Sequence, residues 1–197
     1  MERPSRRNWL SLASFLALAG VAPSSVSQAA KVDRSNDRTK SPFAPYVTDF
    51  GATGDGINDD SKAFQNAVDA APQYGGRIMI PAGRYLIGGV DCGLKAIEWS
   101  GDGGPGQSDR LGHGGTELIV RNGTVGIAFG DGRTNLFRGP VLRNIRVSAQ
   151  SAASHGGLLF RAVSTAVATN VVCSNFLGDG HYGWKFDGGG VGDKFPT

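Results

Sequence analysis

The sequence has little continuous hydrophobicity outside residues 1–30. Its longest apolar run, residues 9–22, is shorter than the ~20 residues that a bilayer-spanning helix needs. No later segment is apolar enough over such a length. We therefore expect no membrane association once the first thirty residues are removed.

Those first thirty residues have the layout of a cleaved export signal. Arg6 and Arg7 precede the apolar run, and the small residues Ala29 and Ala30 offer a cleavage site. Residues 5–10 resemble a twin-arginine signal, with tryptophan where that signal usually has phenylalanine. The alternative is an ordinary secretory signal that contains two arginines. Either interpretation predicts a periplasmic or extracellular protein.

The remainder of the chain has almost no net charge. The full sequence is +3 at pH 7, and the leader contributes three arginines and one glutamate, so about +1 remains. Overall charge therefore gives no reason to expect binding to nucleic acid. Residues 110–161 hold seven arginines and, as acidic residues, only Glu117 and Asp131. This stretch favours an acidic glycan or, as the plainer interpretation, a solvated arginine-studded surface.

Glycine, by contrast, is abundant, with 31 residues among 197. Helical bundles do not use glycine in this way, whereas short strands joined by tight turns do. One glycine-rich segment, residues 101–115, lacks the lysine and the adjacent Ser or Thr of a phosphate-binding loop. We interpret it as a long loop and do not expect a nucleotide site.

A linker and one amphipathic helix are predicted ahead of the strands. Residues 31–45 are polar and punctuated by proline, and ordered structure is expected from about Tyr46. Apolar residues then recur at helical spacing as far as Ala71, where Pro72 ends the pattern. The spacing predicts a short helix over residues 60–71.

The polar residues before this helix suit its N-terminus. Asn58, Asp59 or Asp60 can accept hydrogen bonds from the amides of the first turn, and negative charge is favourable there. We interpret these acidic residues as structural; a metal site built from Asp55, Asp59 and Asp60 is the alternative. The strands predicted next cover residues 77–80, 85–87 and 96–99.

The most informative pattern is an internal repeat of 26 residues. Ile119, Ile145 and Val171 follow one another at this interval, and His155 and His181 share it in a second register. A period in the middle twenties, with strands and no helix in each repeat, indicates a parallel β-helix solenoid. Aligned apolar residues would then form a continuous internal stack.

Further residues share the same period. The segment 157–160 recurs as 183–186, and the segment 126–129 precedes the first by 31 residues, as expected if one coil carries an insertion. Asn144 and Asn170 are also 26 residues apart. Their side chains are expected to stack and to hydrogen-bond along the coils.

The repeat bears on the two cysteines, Cys92 and Cys173. They are 81 residues apart, or about three coils, which corresponds to about 14 Å at the spacing of neighbouring strands. A disulfide needs Cα atoms within about 7 Å of each other. We therefore predict two unpaired, partly buried thiols.

Residues 50–65 and 75–85 resemble the opening of pectate lyase superfamily proteins. That superfamily includes rhamnogalacturonase-like, polygalacturonase-like and tailspike-like β-helices. The resemblance implies an all-β fold over residues 46–197, a single-stranded right-handed parallel β-helix whose open N-terminal end is capped by the short helix. Phe64 and Val68 would then face inward, over the end of the apolar stack.

The resemblance also implies polysaccharide chemistry. Hydrolases of this kind use several carboxylates and a Gly-His-Gly motif. Residues 112–114 have those letters, but they precede the regular coils and the expected carboxylate pairs are absent upstream. We interpret this match as coincidence. No lysine or arginine is identifiable as a lyase base.

His155, His181 and Asp179 are the candidate catalytic residues. The repeat would stack the two histidines on adjacent coils, roughly 5 Å apart. Two imidazoles with a nearby carboxylate can act as a general base or bind a metal ion. The plainer interpretation is an exposed ladder of polar turn residues.

The leader and the resemblance together imply an exported carbohydrate-active β-helix protein that acts on pectin or another uronate-containing polysaccharide. Lyase chemistry, with Ca²⁺ as its cofactor, and hydrolase chemistry both stay open. The alternative is a non-catalytic glycan-binding or scaffold protein. Because about three regular coils end without a closing cap, a truncated chain that lacks its catalytic coils is also expected. The sequence does not indicate an oligomeric state.

Overall fold

The computed structural model describes residues 44–103, 114–134 and 138–188. Within these ranges the chain forms a parallel β-helix of about four coils. One helix, α1 (Ser61–Ala70), precedes the coils, and a short 3-10 turn covers Val47–Phe50. The strands are β1 (Asp55–Asp59), β2 (Tyr74–Ile80), β3 (Gly83–Ile87), β4 (Val90–Asp91), β5 (Ala96–Gly101), β6 (Thr116–Val120), β7 (Val125–Phe129), β8 (Val141–Ala149), β9 (Gly156–Arg161), β10 (Val167–Ser174) and β11 (Tyr182–Asp187).

Each coil passes through three faces, and all strand pairs between coils are parallel. Face 1 contains β2, β5 and the beginnings of β8 and β10. Face 2 contains β1, β3, β6 and the ends of β8 and β10. Face 3 contains β4, β7, β9 and β11. The predicted all-β solenoid is confirmed, and the three predicted strands correspond to β2, β3 and β5.

The 26-residue period is correct for the last coil and wrong for the one before it. Val171 pairs with Ile145, as predicted. Ile145, however, pairs with Thr116, and Ile119 pairs with Ser148. The true offset between these coils is therefore three residues longer on face 2. An odd shift turns a side chain to the opposite side of a strand, so the match of Ile119 with Ile145 was a coincidence of spacing.

Face 3 carries the regular offsets that the sequence predicted. Ile127 pairs with Leu158 at an offset of 31 residues, and Leu158 pairs with Trp184 at an offset of 26. On the inner side, the Phe129 and Phe160 rings stack with centroids 5.2 Å apart. Phe186 continues the stack at 4.5 Å from Phe160. Phe129 and Phe160 thus form an aromatic column of the core, and the exposed Phe186 extends it on the last coil.

Asn144 and Asn170 form the predicted ladder at the corner between faces 1 and 2. The side-chain amide of Asn170 donates to the side-chain oxygen of Asn144 at 2.9 Å. Both residues have left-handed backbone conformations, with φ of 56° and 55°. Asparagine tolerates this conformation better than most residues, so it suits a corner where the strand must turn.

Helix α1 covers the N-terminal end of the core, as predicted. Phe64, Ala67 and Val68 are buried, and the Phe64 ring lies 5.4 Å from Tyr85 and 6.0 Å from Trp99. At the C-terminal end of α1, a lysine side chain from later in the sequence binds the free carbonyl groups, a task that a glycine turn performs in many helices. The Lys95 ammonium donates to the carbonyls of three residues that end the helix: Val68, Asp69 and Ala71.

The capping prediction is correct for Asp59 and wrong for Asp60. Asp59 Oδ1 accepts from the Ser61 amide at 3.0 Å. Asp60 occupies the N-cap position but makes no capping hydrogen bond. Its buried carboxylate instead accepts from the amides of Thr53 and Gly54, at 2.7 and 3.2 Å. Asp60 therefore holds the preceding turn against the helix, because the amides of that turn need an acceptor. The first turn of the helix already has Asp59 as its acceptor.

The alternative metal site at Asp55, Asp59 and Asp60 gains no support. Asp55 accepts from the amides of Ile57 and Asn58, at 2.8 and 2.9 Å, so each carboxylate serves a different stretch of backbone. Across the described ranges, no three His, Cys, Asp or Glu side chains form a group that could hold a metal ion.

The cysteines are unpaired, as predicted. Cys92 follows β4 in the first coil, whereas Cys173 lies in β10 in the fourth coil and on another face. Burial raises the pKa of the Cys92 thiol well above its usual range and raises that of Cys173 to about 12. Both side chains act as small apolar residues of the coil interior.

Several predictions concern residues outside the described ranges. They are the export signal over residues 1–30, most of the linker over residues 31–45, and the Gly112 and His113 of the Gly-His-Gly string. The last two linker residues are described, and the Pro45 carbonyl accepts from the Met79 amide at 2.9 Å. Among described residues no helix is long and apolar enough to cross a membrane.

Candidate functional site on the third face

His155 and His181 lie side by side on adjacent coils. The His155 amide donates to the Thr124 carbonyl at 3.1 Å just before β9, and the His181 amide donates to Gly178 at 3.0 Å just before β11. Because Gly156 pairs with Tyr182, the two histidines share one register position. Their ring centroids are 5.6 Å apart, with 51° between the ring planes. This confirms the predicted stacking; their chemical role stays a prediction.

Tyr182 and Lys185 complete a group that the sequence did not predict. The Tyr182 ring meets the His155 ring edge-on at 6.3 Å, and the Lys185 ammonium lies 5.6 Å from the centre of the Tyr182 ring. Tyr182 lies so close over Gly156 that any Cβ there would clash with its ring. We call His155, His181, Tyr182 and Lys185 the His–Tyr–Lys patch.

Tyr182 lies near charged residues of the third and fourth coils. Burial raises the pKa of Tyr182, the nearby Arg161 guanidinium opposes that rise, and Asp187 adds to it. Arg161 is itself paired with Asp91 across two coils, with Nη2 and Oδ1 3.3 Å apart. The patch and the neighbouring Arg161 therefore bring two imidazoles and a phenol together with two cationic side chains, a set suited to holding an anion beside a proton acceptor.

The chain matches the family described as rhamnogalacturonase A/epimerase, pectate lyase-like, over residues 46–177. The protein belongs to this pectate lyase-like family. The matched range includes every strand except β11. The family assignment therefore covers His155 but ends before His181. The predicted resemblance is confirmed.

Curated relatives of this pectate lyase-like chain include proteins named for polysaccharide chemistry. The tail spike protein of Shigella phage Sf6 is 28% identical over 151 residues, which are 75% of this chain and 21% of that protein. A mannuronan C5-epimerase of Azotobacter vinelandii is 52% identical over 44 residues, 22% of this chain and 4% of the relative. Alginate lyase 7 of the same species is 50% identical over 46 residues, 23% of this chain and 5% of the relative. The chain thus spans about a fifth or less of each relative.

Asp179 does not join the histidines in the pectate lyase-like coils. It lies exposed in the turn between Gly178 and His181. Within the described ranges no hydrogen bond or ion pair connects it to either imidazole. The sequence placed it nearby because it is two residues from His181, but the turn closed by the Gly178 carbonyl does not bring its carboxylate into contact with either ring among the described residues.

At least three arginines of the arginine-rich stretch form ion pairs with acidic residues earlier in the chain. Arg143 and Arg77 both pair with Glu98, at 3.1 and 3.0 Å. Three arginines of the stretch are in ion pairs of this kind: Arg121 with Asp59, Arg143 with Glu98, and Arg161 with Asp91. These partners lie far away in sequence, so local charge counting missed them. The pairs are exposed, and each is expected to contribute little to stability.

A second charged ladder runs along face 2 of the pectate lyase-like coils. Arg84 pairs with Glu117 at 3.0 Å, and Glu117 accepts from the Ser148 hydroxyl at 2.7 Å. Together with the ion pairs of Glu98 on face 1, these pairs place positive and negative side chains in alternation from coil to coil on the outer surface of faces 1 and 2. The His–Tyr–Lys patch on face 3 differs because it combines three ring side chains with Lys185, and the charges of Arg161, Asp91 and Asp187 lie beside it.

Proposed function

We propose that this chain is an exported carbohydrate-active protein that acts on a uronate-containing polysaccharide. The observation that carries the proposal is the His–Tyr–Lys patch, which combines proton acceptors and a cation on the outside of a pectate lyase-like β-helix. Relatives named as alginate lyase and mannuronan epimerase support a uronate polymer as the substrate class. The proposal of export, to the periplasm or beyond, rests on the leader in residues 1–30.

Lyase-type chemistry fits the patch better than hydrolysis. A base would take the proton next to the uronate carboxyl group, the electrons would form a ring double bond, the glycosidic C–O bond would break, and an acid would give the departing oxygen a proton. Cations beside the uronate carboxylate stabilise the negative charge that develops there. Lys185 and Arg161 supply such charges, the histidines supply the candidate bases, and the Tyr182 phenol, whose pKa is raised, is the candidate acid. A hydrolase would instead need two facing carboxyl groups, and the patch contains none.

The full chain should be incubated with alginate and with polygalacturonate, with Ca²⁺ and with a chelator. Lyase chemistry produces an unsaturated sugar that absorbs ultraviolet light, whereas hydrolysis produces reducing ends without that absorbance. We expect the absorbance, and we expect its loss when His155 and His181 are both replaced by alanine. His113→Ala is the matched control, because His113 is the only other histidine. Reducing ends without absorbance, or an active double variant, would refute the assignment.

A non-catalytic glycan-binding role is the second candidate. The alternating charges at Glu98 and Glu117 favour it, because such ladders bind and orient polymers without any chemistry of their own. Binding of uronate polymers without either product would support this role over the first.

A further inference from the structure

The spacing of His155 and His181 fits two ligands of one metal ion. Zinc–nitrogen bonds of about 2.1 Å, at angles near tetrahedral, leave the centres of two ligating imidazole rings roughly 5 to 6 Å apart. The observed distance between the ring centroids is 5.6 Å. The 51° between the ring planes also separates this pair from two flatly stacked aromatic rings, such as Phe160 and Phe186 at 11°.

The backbone holds both histidines in this relation before any ligand arrives. The His155 amide is bonded to Thr124, and the His181 amide closes the turn from Gly178. The strands that follow them pair directly, residue against residue, from Gly156 with Tyr182 onward. A metal ion would therefore meet a site whose ligands are fixed on rigid strands, which lowers the cost of binding.

The imidazoles are also available as ligands. Nδ1 of His181 is buried and has no hydrogen-bond partner among the described residues. That nitrogen packs against Gly178, so Nε2 is the atom of His181 that would bind an ion. The His155 side chain is exposed, so an ion can reach the pair from solvent. A side chain at position 178 would collide with the His181 ring, so Gly178 allows the ring to take this position.

We propose that His155 and His181 together bind one divalent transition-metal ion of the class that prefers imidazole: Zn²⁺, Ni²⁺ or Cu²⁺. The described ranges contain no third side chain grouped with this pair as a metal ligand. The remaining coordination positions are therefore open to water or to an anionic ligand, as in sites where a metal meets a substrate. A nitrogen that binds the ion cannot also accept a proton, so metal binding and the base role proposed above are alternative uses of this pair, and the binding test below decides the first by itself.

The test uses the untagged full chain, stripped with a chelator and then titrated with Ni²⁺ and with Zn²⁺ in a calorimeter. We expect one ion per chain and affinity at least tenfold weaker in His155→Ala and in His181→Ala. His113→Ala should bind as the unchanged chain does. His155→Gln, which keeps a polar side chain of similar reach, provides a second variant in case the alanine variants fold poorly. Circular dichroism checks that each variant is folded.

Electron paramagnetic resonance of the Cu²⁺-loaded chain gives an independent readout. Coupling to two imidazole nitrogens, reduced to one in either alanine variant, supports the site. Equal affinity in the double variant, or coupling to His113 alone, overturns it. Absence of any binding up to millimolar metal also overturns it, whatever the chain does to polysaccharides.

Discussion

At the scale of single residues, acidic side chains in the first coil act on the backbone. Asp55, Asp59 and Asp60 each accept hydrogen bonds from nearby amides, at Ile57, Ser61 and Thr53. Glycines such as Gly54 and Gly56 turn the chain through left-handed conformations there, and the carboxylates bind the amides that these turns leave exposed. The acidic side chains of this glycine-rich segment thus stabilise its turns.

Asp55 makes this role measurable through pH. The amides of Ile57 and Asn58 lower the pKa of Asp55 from its usual 3.8. Because the folded pKa is depressed, the stabilisation is fully present above pH ~4 and is lost as the pH falls through the lower, folded value. Asp55→Ala should therefore melt below the unchanged chain at pH 6, and the difference should shrink toward pH 2.

Thermal melts between pH 2 and pH 6 measure this difference. Asp179→Ala is the control, since that exposed carboxylate accepts no hydrogen bond among the described residues and its removal should not alter the pH profile. A gap between Asp55→Ala and the unchanged chain that is constant with pH would show that the carboxylate charge plays no part.

At the scale of strands and corners, the coils are held in register where faces 1 and 2 meet. β8 belongs to both faces because Asn144 bends it, and β10 repeats the bend at Asn170. The amide hydrogen bond between the two asparagines ties the bends together. At Asn170, the preference of asparagine for a left-handed backbone and its hydrogen bond to the neighbouring coil thus favour the same conformation.

Substitutions at Asn170 separate these two contributions. Asn170→Gly keeps the left-handed conformation and loses the ladder, so it should cost about 0.5–1 kcal/mol of unfolding free energy because the bond is exposed. Asn170→Ala should cost roughly 1 kcal/mol more, because alanine is strained at this φ. Urea denaturation measures both variants.

Asn175→Gly is the matched control for these variants. Asn175 has a similar φ of 68° but no partner in the ladder, so its substitution should be nearly neutral. Equal losses for the glycine and alanine variants at position 170 would contradict the argument from conformation.

At the scale of the whole molecule, the sequence predicted what repeats and missed what does not. The helix with Phe64 facing inward followed from helical spacing and from the family resemblance. The stack of His155 on His181 followed from the repeat, since equal spacing on successive coils brings residues together. The register of Ile119 could not be predicted in this way, because the chain between the second and third coils is longer than the repeat. Tyr182 and Lys185 were missed for a related reason: their neighbours come from other coils, and single positions carry no period.

The patch depends on the same assembly of coils. Arg161 comes from the third coil and Lys185 from the fourth, and Asp91 of the first coil pairs with Arg161. The sequence did not predict a role for Arg161 or Lys185, because neither residue lies in a recognisable motif. Their convergence on Tyr182 is the basis of the proposal that this part of face 3 binds an anionic polymer.

The most direct test of the account is the affinity of the full chain for a uronate oligosaccharide compared with a neutral one of equal length. We expect a preference for the uronate, weakened roughly fivefold or more by Lys185→Met, which removes the charge but keeps the stem. Lys62→Met on the exposed side of α1 should leave the affinity unchanged. Equal affinity for both sugars, or a Lys185→Met variant that binds the uronate as tightly as the unchanged chain, would contradict the assignment of the His–Tyr–Lys patch.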